Sequence, residues 1–169
     1  MLTKAQLLAS MRHETHVIRH LASKAKPEML DWRPTPVQRS LIELLRYMAR
    51  MAIVPAVAVV KGGWDHAEAM EAETASMPLE DFGRQMQVQI ERLDALLDGV
   101  DEKTAATDPA VLPWGTPTTV GAAFIDMVLK PLVAYRMQLF LYLKQAGLSE
   151  LGPAQCWVGV DPPPAAKRK

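Results

Sequence analysis

Four long segments of this chain carry apolar residues at the three- and four-residue spacing of a helix face, and no stretch alternates apolar and polar residues between turns as a strand would. In the first, about Lys4 to Ala25, Leu7, Met11, Ile18 and Leu21 share one face at about 100° per residue, and Glu14 falls within that stripe. The second, about Ser40 to Val60, turns Leu41, Leu44, Leu45, Met48, Ala52 and Val59 inward; Pro55 predicts a kink, and Gly62 and Gly63 end it. The third, about Pro78 to Asp98, carries Phe82, Met86, Ile90, Leu93 and Leu97 and stops at Gly99. The fourth runs from Thr118 or Thr119, either a suitable N-cap, to Ala146, with Gly147 as its stop. The pattern predicts an all-α fold, an up-and-down four-helix bundle over residues 1–150. A C-terminal extension, 151–169, follows; from Pro162 to Lys169 it has nothing to build core with, and its end is expected to be mobile.

The fourth segment is apolar over more than a stripe. Val120, Phe124, Met127, Pro131, Tyr135 and Tyr142 lie on one face, and Ile125, Leu129, Leu132, Leu139, Phe140 and Leu143 widen it. Such a helix needs partners on two sides: either it is central in the monomer or its outer flank forms the interface of a homodimer, the association expected here. The connection Asp101 to Pro117 reads as a loop with at most a short helical turn.

Composition narrows the class. A chain of 169 residues, 49% hydrophobic, supplies one domain with a sizeable core. Nineteen basic and nineteen acidic residues leave no excess charge to draw it to nucleic acid or to a membrane surface. Cys156, the single cysteine, cannot form an internal disulfide. No apolar run approaches a membrane span, and no basic segment leads into an apolar run at the N-terminus, so the cytoplasm is the expected compartment.

The run Asp31-Trp32-Arg33-Pro34-Thr35-Pro36, leading into Ser40-Leu41-Ile42-Glu43-Leu44-Leu45-Arg46-Tyr47, resembles the DinB/YfiT-like superfamily. Leu112-Pro113-Trp114-Gly115-Thr116 is similar to that family's loop before its last helix, and Tyr135-Arg136-Met137-Gln138 with Tyr142-Leu143 and Gly147 to its fourth-helix signature. The resemblance implies a four-helix bundle in which three histidines, one on the second helix and two spaced by four on the fourth, hold zinc or nickel for thiol-dependent transfer or isomerisation. In this sequence the matching positions are Tyr47, Pro131 and Tyr135. A phenol with an intrinsic pKa near 10 is a poor ligand for these ions, and proline offers no side-chain ligand. The metal centre is therefore expected to be absent, no cofactor is expected, and whether the chain is an enzyme stays open.

Other groups have both structural and functional readings. His13, His16 and His20 fall within about 60° of one another on the first helix. That is metal-ligand spacing, but they lie opposite the apolar stripe, facing solvent or a partner. Tyr47 and Tyr135, with Glu14, could bind a small polar ligand or perform acid/base work; the simpler reading is a polar plug of groups that satisfy one another, with Gln138 contributing to either. Trp32 and Trp114 either close the ends of the bundle or wall a ligand cleft with Tyr47, Pro131, Tyr135 and Gln138. Pro131 inside a long helix predicts a kink. Arg39, Arg46 and Arg50 read as a solvated face ion-paired around Glu43, and Cys156 as an inert thiol.

Overall fold

A computed structural model describes residues 3–163. Helix α1 (Lys4–Ala22) starts at Thr3, whose hydroxyl accepts from the Gln6 amide at 3.1 Å while the Gln6 side chain accepts from the Thr3 amide at 2.9 Å. This reciprocal cap satisfies two otherwise orphaned donors. Ser40 and Glu43 do the same for α2 (Leu41–Met48).

The second segment is two helices, α2 and α3 (Ile53–Lys61), rather than one kinked rod. Pro55 has no amide proton for the Met51 carbonyl, and its ring crowds that turn. Gln89 of α5 (Phe82–Asp98) fills the break with its side-chain amide. Its Nε2 donates to the Met48 carbonyl at 3.0 Å, and its Oε1 accepts from the Ala52 and Ile53 amides at 3.0 and 3.2 Å. The Met48-to-Ala52 bond of a continuous helix is thus replaced by one inserted amide.

Between α3 and α5 lie the short helix α4 (Ala67–Ala72) and a 3₁₀ turn at Leu79–Asp81. After α5 the expected loop instead contains α6 (Glu102–Thr107) and a two-stranded antiparallel ribbon, β1 (Pro109–Val111) with β2 (Pro117–Thr119), Ala110 facing Thr118. Three-residue strands flanked by prolines are too short to show alternation in sequence.

The last long segment is one rod: α7 (Val120–Phe124), a π-helical stretch Ile125–Leu129, and α8 (Lys130–Gln145). Pro131 sits just past the π stretch, and its i−4 residue, Met127, lies within it. The wider turn accommodates the missing donor and the ring, so the predicted kink takes the form of a π-bulge.

The bundle runs up, down, down, up. α5 is antiparallel to α1, with Arg12 against Asp94 and Arg19 against Gln87, whereas Gln89 and the Met77 carbonyl lie beside α2 and α3 in parallel order. The 62–81 connection makes this possible by returning along the bundle before α5 begins, so helix directions do not simply alternate. Met11, Ile18, Leu44, Met48, Met86 and Leu132 are among the fully buried core residues. The chain then folds back: Leu151 and Cys156 are buried, and a π-helical turn, Ala154–Val158, packs on α1 and α8. Of the end expected to be mobile, Pro162 and Pro163 are exposed and residues 164–169 lie outside the described residues.

Candidate functional site

Helix α2 delivers Tyr47 and α8 delivers Tyr135 to the same place, with ring centroids 5.0 Å apart and planes tilted by 49°. Both are half-buried. The Arg39 guanidinium lies 4.3 Å from the Tyr47 ring centroid and that of Arg50 lies 5.4 Å away. Burial first, then the neighbouring Tyr135 hydroxyl, pushes the Tyr47 phenol up to about 12, against a weaker pull from the two arginines. At neutral pH it is a protonated donor. Pro131, half-buried one turn before Tyr135, contributes no donor atom.

These residues do not fit the divalent ion that the resemblance implies. A Tyr47 phenol held in its protonated form, a second phenol, an imino acid and two cations against Tyr47 form a surrounding that repels a metal ion. Among the described residues no group of three or more His, Cys, Asp or Glu side chains is placed to hold one elsewhere.

Glu14 does point inward, but to a different partner. Its carboxylate accepts from Arg136 Nε at 2.5 Å, so it stands with the residue next to Tyr135 on α8 rather than with the phenol pair. Arg136, 2% exposed, also donates to the Cys156 carbonyl at 2.6 Å and stacks 4.4 Å from the Trp157 ring centroid. In the sequence Arg136 appears only within the fourth-helix run Tyr135-Arg136-Met137-Gln138, with no site role read for it. The signal available was a lone arginine on a broadly apolar helix, matched by a lone glutamate in the apolar stripe of another. Cys156 is buried, and burial pushes its thiol up despite Arg136 nearby.

The histidine face of α1 meets the chain's own C-terminal segment. His13 Nε2 lies 3.0 Å from the Trp157 carbonyl, and His20 Nε2 lies 3.5 Å from Asp161, which also binds Lys24 Nζ at 2.5 Å. His16 is exposed beside Gly159. Burial first and Lys24 next hold the His20 pKa below its ordinary value, opposed by Asp161.

The tryptophans do not wall one cleft. Trp32 meets Tyr142 edge-on at 5.4 Å, near the end of α8, and Gln138 Nε2 donates to the Tyr142 hydroxyl at 3.3 Å. Trp114 is 64% exposed on the ribbon turn that precedes α7, at the other end of that rod. A groove of about 420 Å³ lies between α3 and the ribbon, lined by Val59, Trp64, Val111, Leu112 and Met127, but by none of the predicted residues. Of the arginine face, Arg46 donates to the Met77 carbonyl at 2.9 Å, Arg50 pairs with Glu71, and Arg33 pairs with Glu43 at 3.5 Å.

No protein-family model matches the chain, and no curated protein matches it. Solved structures do. A DinB-like protein from Bacillus subtilis superposes with a TM-score of 0.65 at 19% identity, covering 88% of this chain and 96% of that one. A candidate DinB-family member from Exiguobacterium sibiricum gives 0.66 at 18% identity, covering 92% of this chain and 99% of that one. Identities this low show a shared fold: the chain has the DinB-like fold, and no helix among the described residues is long and apolar enough to cross a membrane.

Proposed function

We propose that this chain is a ligand-binding, non-catalytic protein of the DinB-like fold that works without the divalent metal the sequence resemblance implies. The observation that carries the reading is the Tyr47 ring, held between two guanidinium groups and a second phenol at the position where the resemblance puts a metal ligand. A site that has gathered cations and neutral donors suits a polar or anionic ligand better than a metal ion. Without an activated thiolate or water, the transfer and isomerisation chemistry of the resemblance has no nucleophile by that route. Elemental analysis of protein purified without an affinity tag tests this: no stoichiometric transition metal is expected, and one tightly held ion per chain refutes it.

The protein is further proposed to be a homodimer through the outer flank of α8. Val133 and Leu141 are 39% and 47% exposed there, with Met137 and Phe140 half-buried beside them. Such surface on a rod that already packs against α1 and α2 favours a second copy. Light scattering should give twice the chain mass, and Leu141→Lys should halve it; a monomer across a wide concentration range rejects the dimer.

A further inference from the structure

Arg39 and Arg50 lie against Tyr47, and with Arg33 and Arg46 of the same stretch of chain they differ in one respect. Arg33, Arg46 and Arg50 each have an acceptor: Glu43 at 3.5 Å, the Met77 carbonyl at 2.9 Å, and Glu71. Arg39 has none among the described residues; its guanidinium lies over the Tyr47 ring at 4.3 Å and makes no ion pair or hydrogen bond. Stacking occupies the face of a guanidinium and leaves the N–H groups at its edge unspent. Beside it stand the phenols of Tyr47 and Tyr135. The two rings lie 5.0 Å apart by centroid, and even a pair of hydroxyls bonded to each other uses one proton between them and offers one O–H to a third group. Neither hydroxyl bonds to any other described residue. An exposed cationic fork of coplanar N–H donors next to two half-buried phenols, with no carboxylate within ion-pair distance of the guanidinium among the described residues, lacks an acceptor of one kind: a planar anion with two oxygens.

We infer that Arg39, Tyr47 and Tyr135 bind the carboxylate group of a small organic acid. The guanidinium takes both oxygens side by side, and the free phenol proton bonds to one of them. This rests on the metal-free reading above and names the ligand class of the same site. No covalent step is involved.

The test uses the full-length protein, with metal content measured first, titrated with benzoate and followed by the Arg39 Nε–H and tyrosine ring resonances. The neutral amide benzamide serves as a control of the same shape. Saturable shifts at Arg39, Tyr47 and Tyr135 are expected with benzoate and not with benzamide. Arg39→Gln, an exposed substitution, should weaken binding tenfold or more, and Arg33→Gln should leave it unchanged. Shifts that do not saturate, equal binding of benzamide, or an unaffected Arg39→Gln variant overturn the inference, and tighter binding of inorganic phosphate overturns the carboxylate assignment. Bound metal would instead refute the metal-free reading, so the two failures are distinguishable.

Discussion

The Glu14 carboxylate and the Arg136 guanidinium meet at 2.5 Å with side chains only 12% and 2% exposed, forming an ion pair that joins α1 to α8 inside the bundle. Arg136 spends a second N–H on the Cys156 carbonyl and its face on Trp157, so the same cation holds the C-terminal turn in place. Removing one member of such a pair leaves the other charge buried and unmatched, at a cost of about 3–5 kcal/mol. Glu14→Leu and Arg136→Met should each lower the free energy of unfolding by that order in urea titrations. The double variant, with no orphaned charge, should recover part of the loss. If the single losses simply add, the two residues act independently.

A second polar side chain, Gln89, replaces a broken stretch of backbone bonding. Substituting Gln89→Leu keeps much of the volume but strands the Ala52 and Ile53 amides and the Met48 carbonyl in a buried setting. Each stranded group costs about 1–3 kcal/mol, partly relieved by local shifts, so a total loss of roughly 2–4 kcal/mol is expected. Amide hydrogen exchange should quicken first at Ala52 and Ile53. Unchanged exchange there would mean that water replaces the glutamine fully.

These two residues mark the limit of what was legible in the sequence. Apolar periodicity located the four long helical segments because burial of a stripe is written at fixed spacing, and Leu7, Met11, Ile18 and Leu21 are all buried. The approach of Tyr47 to Tyr135 followed from the resemblance. The partners of Glu14 and of the Ala52 amide were not legible, because a polar contact between residues 122 or 37 positions apart leaves no local pattern. Nor was the neighbour of the histidine face: opposite the apolar stripe, it was read as facing solvent or a partner; His13 and His16 are exposed, and what His13 and His20 meet is a segment of the chain itself.

Gly159 lies where that segment crosses α1. Its φ of +72° is left-handed, and a Cβ there would stand 2.8 Å from His16 Cδ2 and 3.1 Å from Val17 Cα. Gly63 has a similar φ of +74° but open space around it. Gly63→Ala should therefore cost only the backbone penalty, about 1–2 kcal/mol. Gly159→Ala should cost more and speed proteolysis between residues 152 and 163. Equal losses by urea unfolding would mean that the crossing is loose enough to yield.

His20 gives the crossing a pH dependence. Its pKa is lowered in the folded state by burial first and by Lys24 next, with Asp161 opposing. A depressed histidine pKa means that the unfolded chain takes up the proton more readily, so the contribution is intact above about 6.5 and is lost as pH falls through the folded value. Stability measured in urea should decline on acidification through this range, and His20→Asn should flatten the decline. Asp161→Asn removes the opposing carboxylate and should move the His20 titration, followed by its ring proton resonance, to still lower pH.

Tyr47 supplies the corresponding effect at high pH. Its folded pKa of about 12 stands above the ordinary 10.0, raised first by burial and then by the Tyr135 hydroxyl. The unfolded chain loses this proton first, so the stabilisation is complete below pH 10 and disappears as pH rises towards 12. Phenolate absorbance should show a tyrosine step near pH 12 in folded protein that moves to about 10 in denaturant. Tyr47→Phe should remove the late step and reduce the fall in stability above pH 10. Tyr135→Phe should keep the step but shift it downward, since part of its cause is gone. A late step that persists in Tyr47→Phe would assign it to another phenol and remove the argument that Tyr47 is a protonated donor at the cation-lined site.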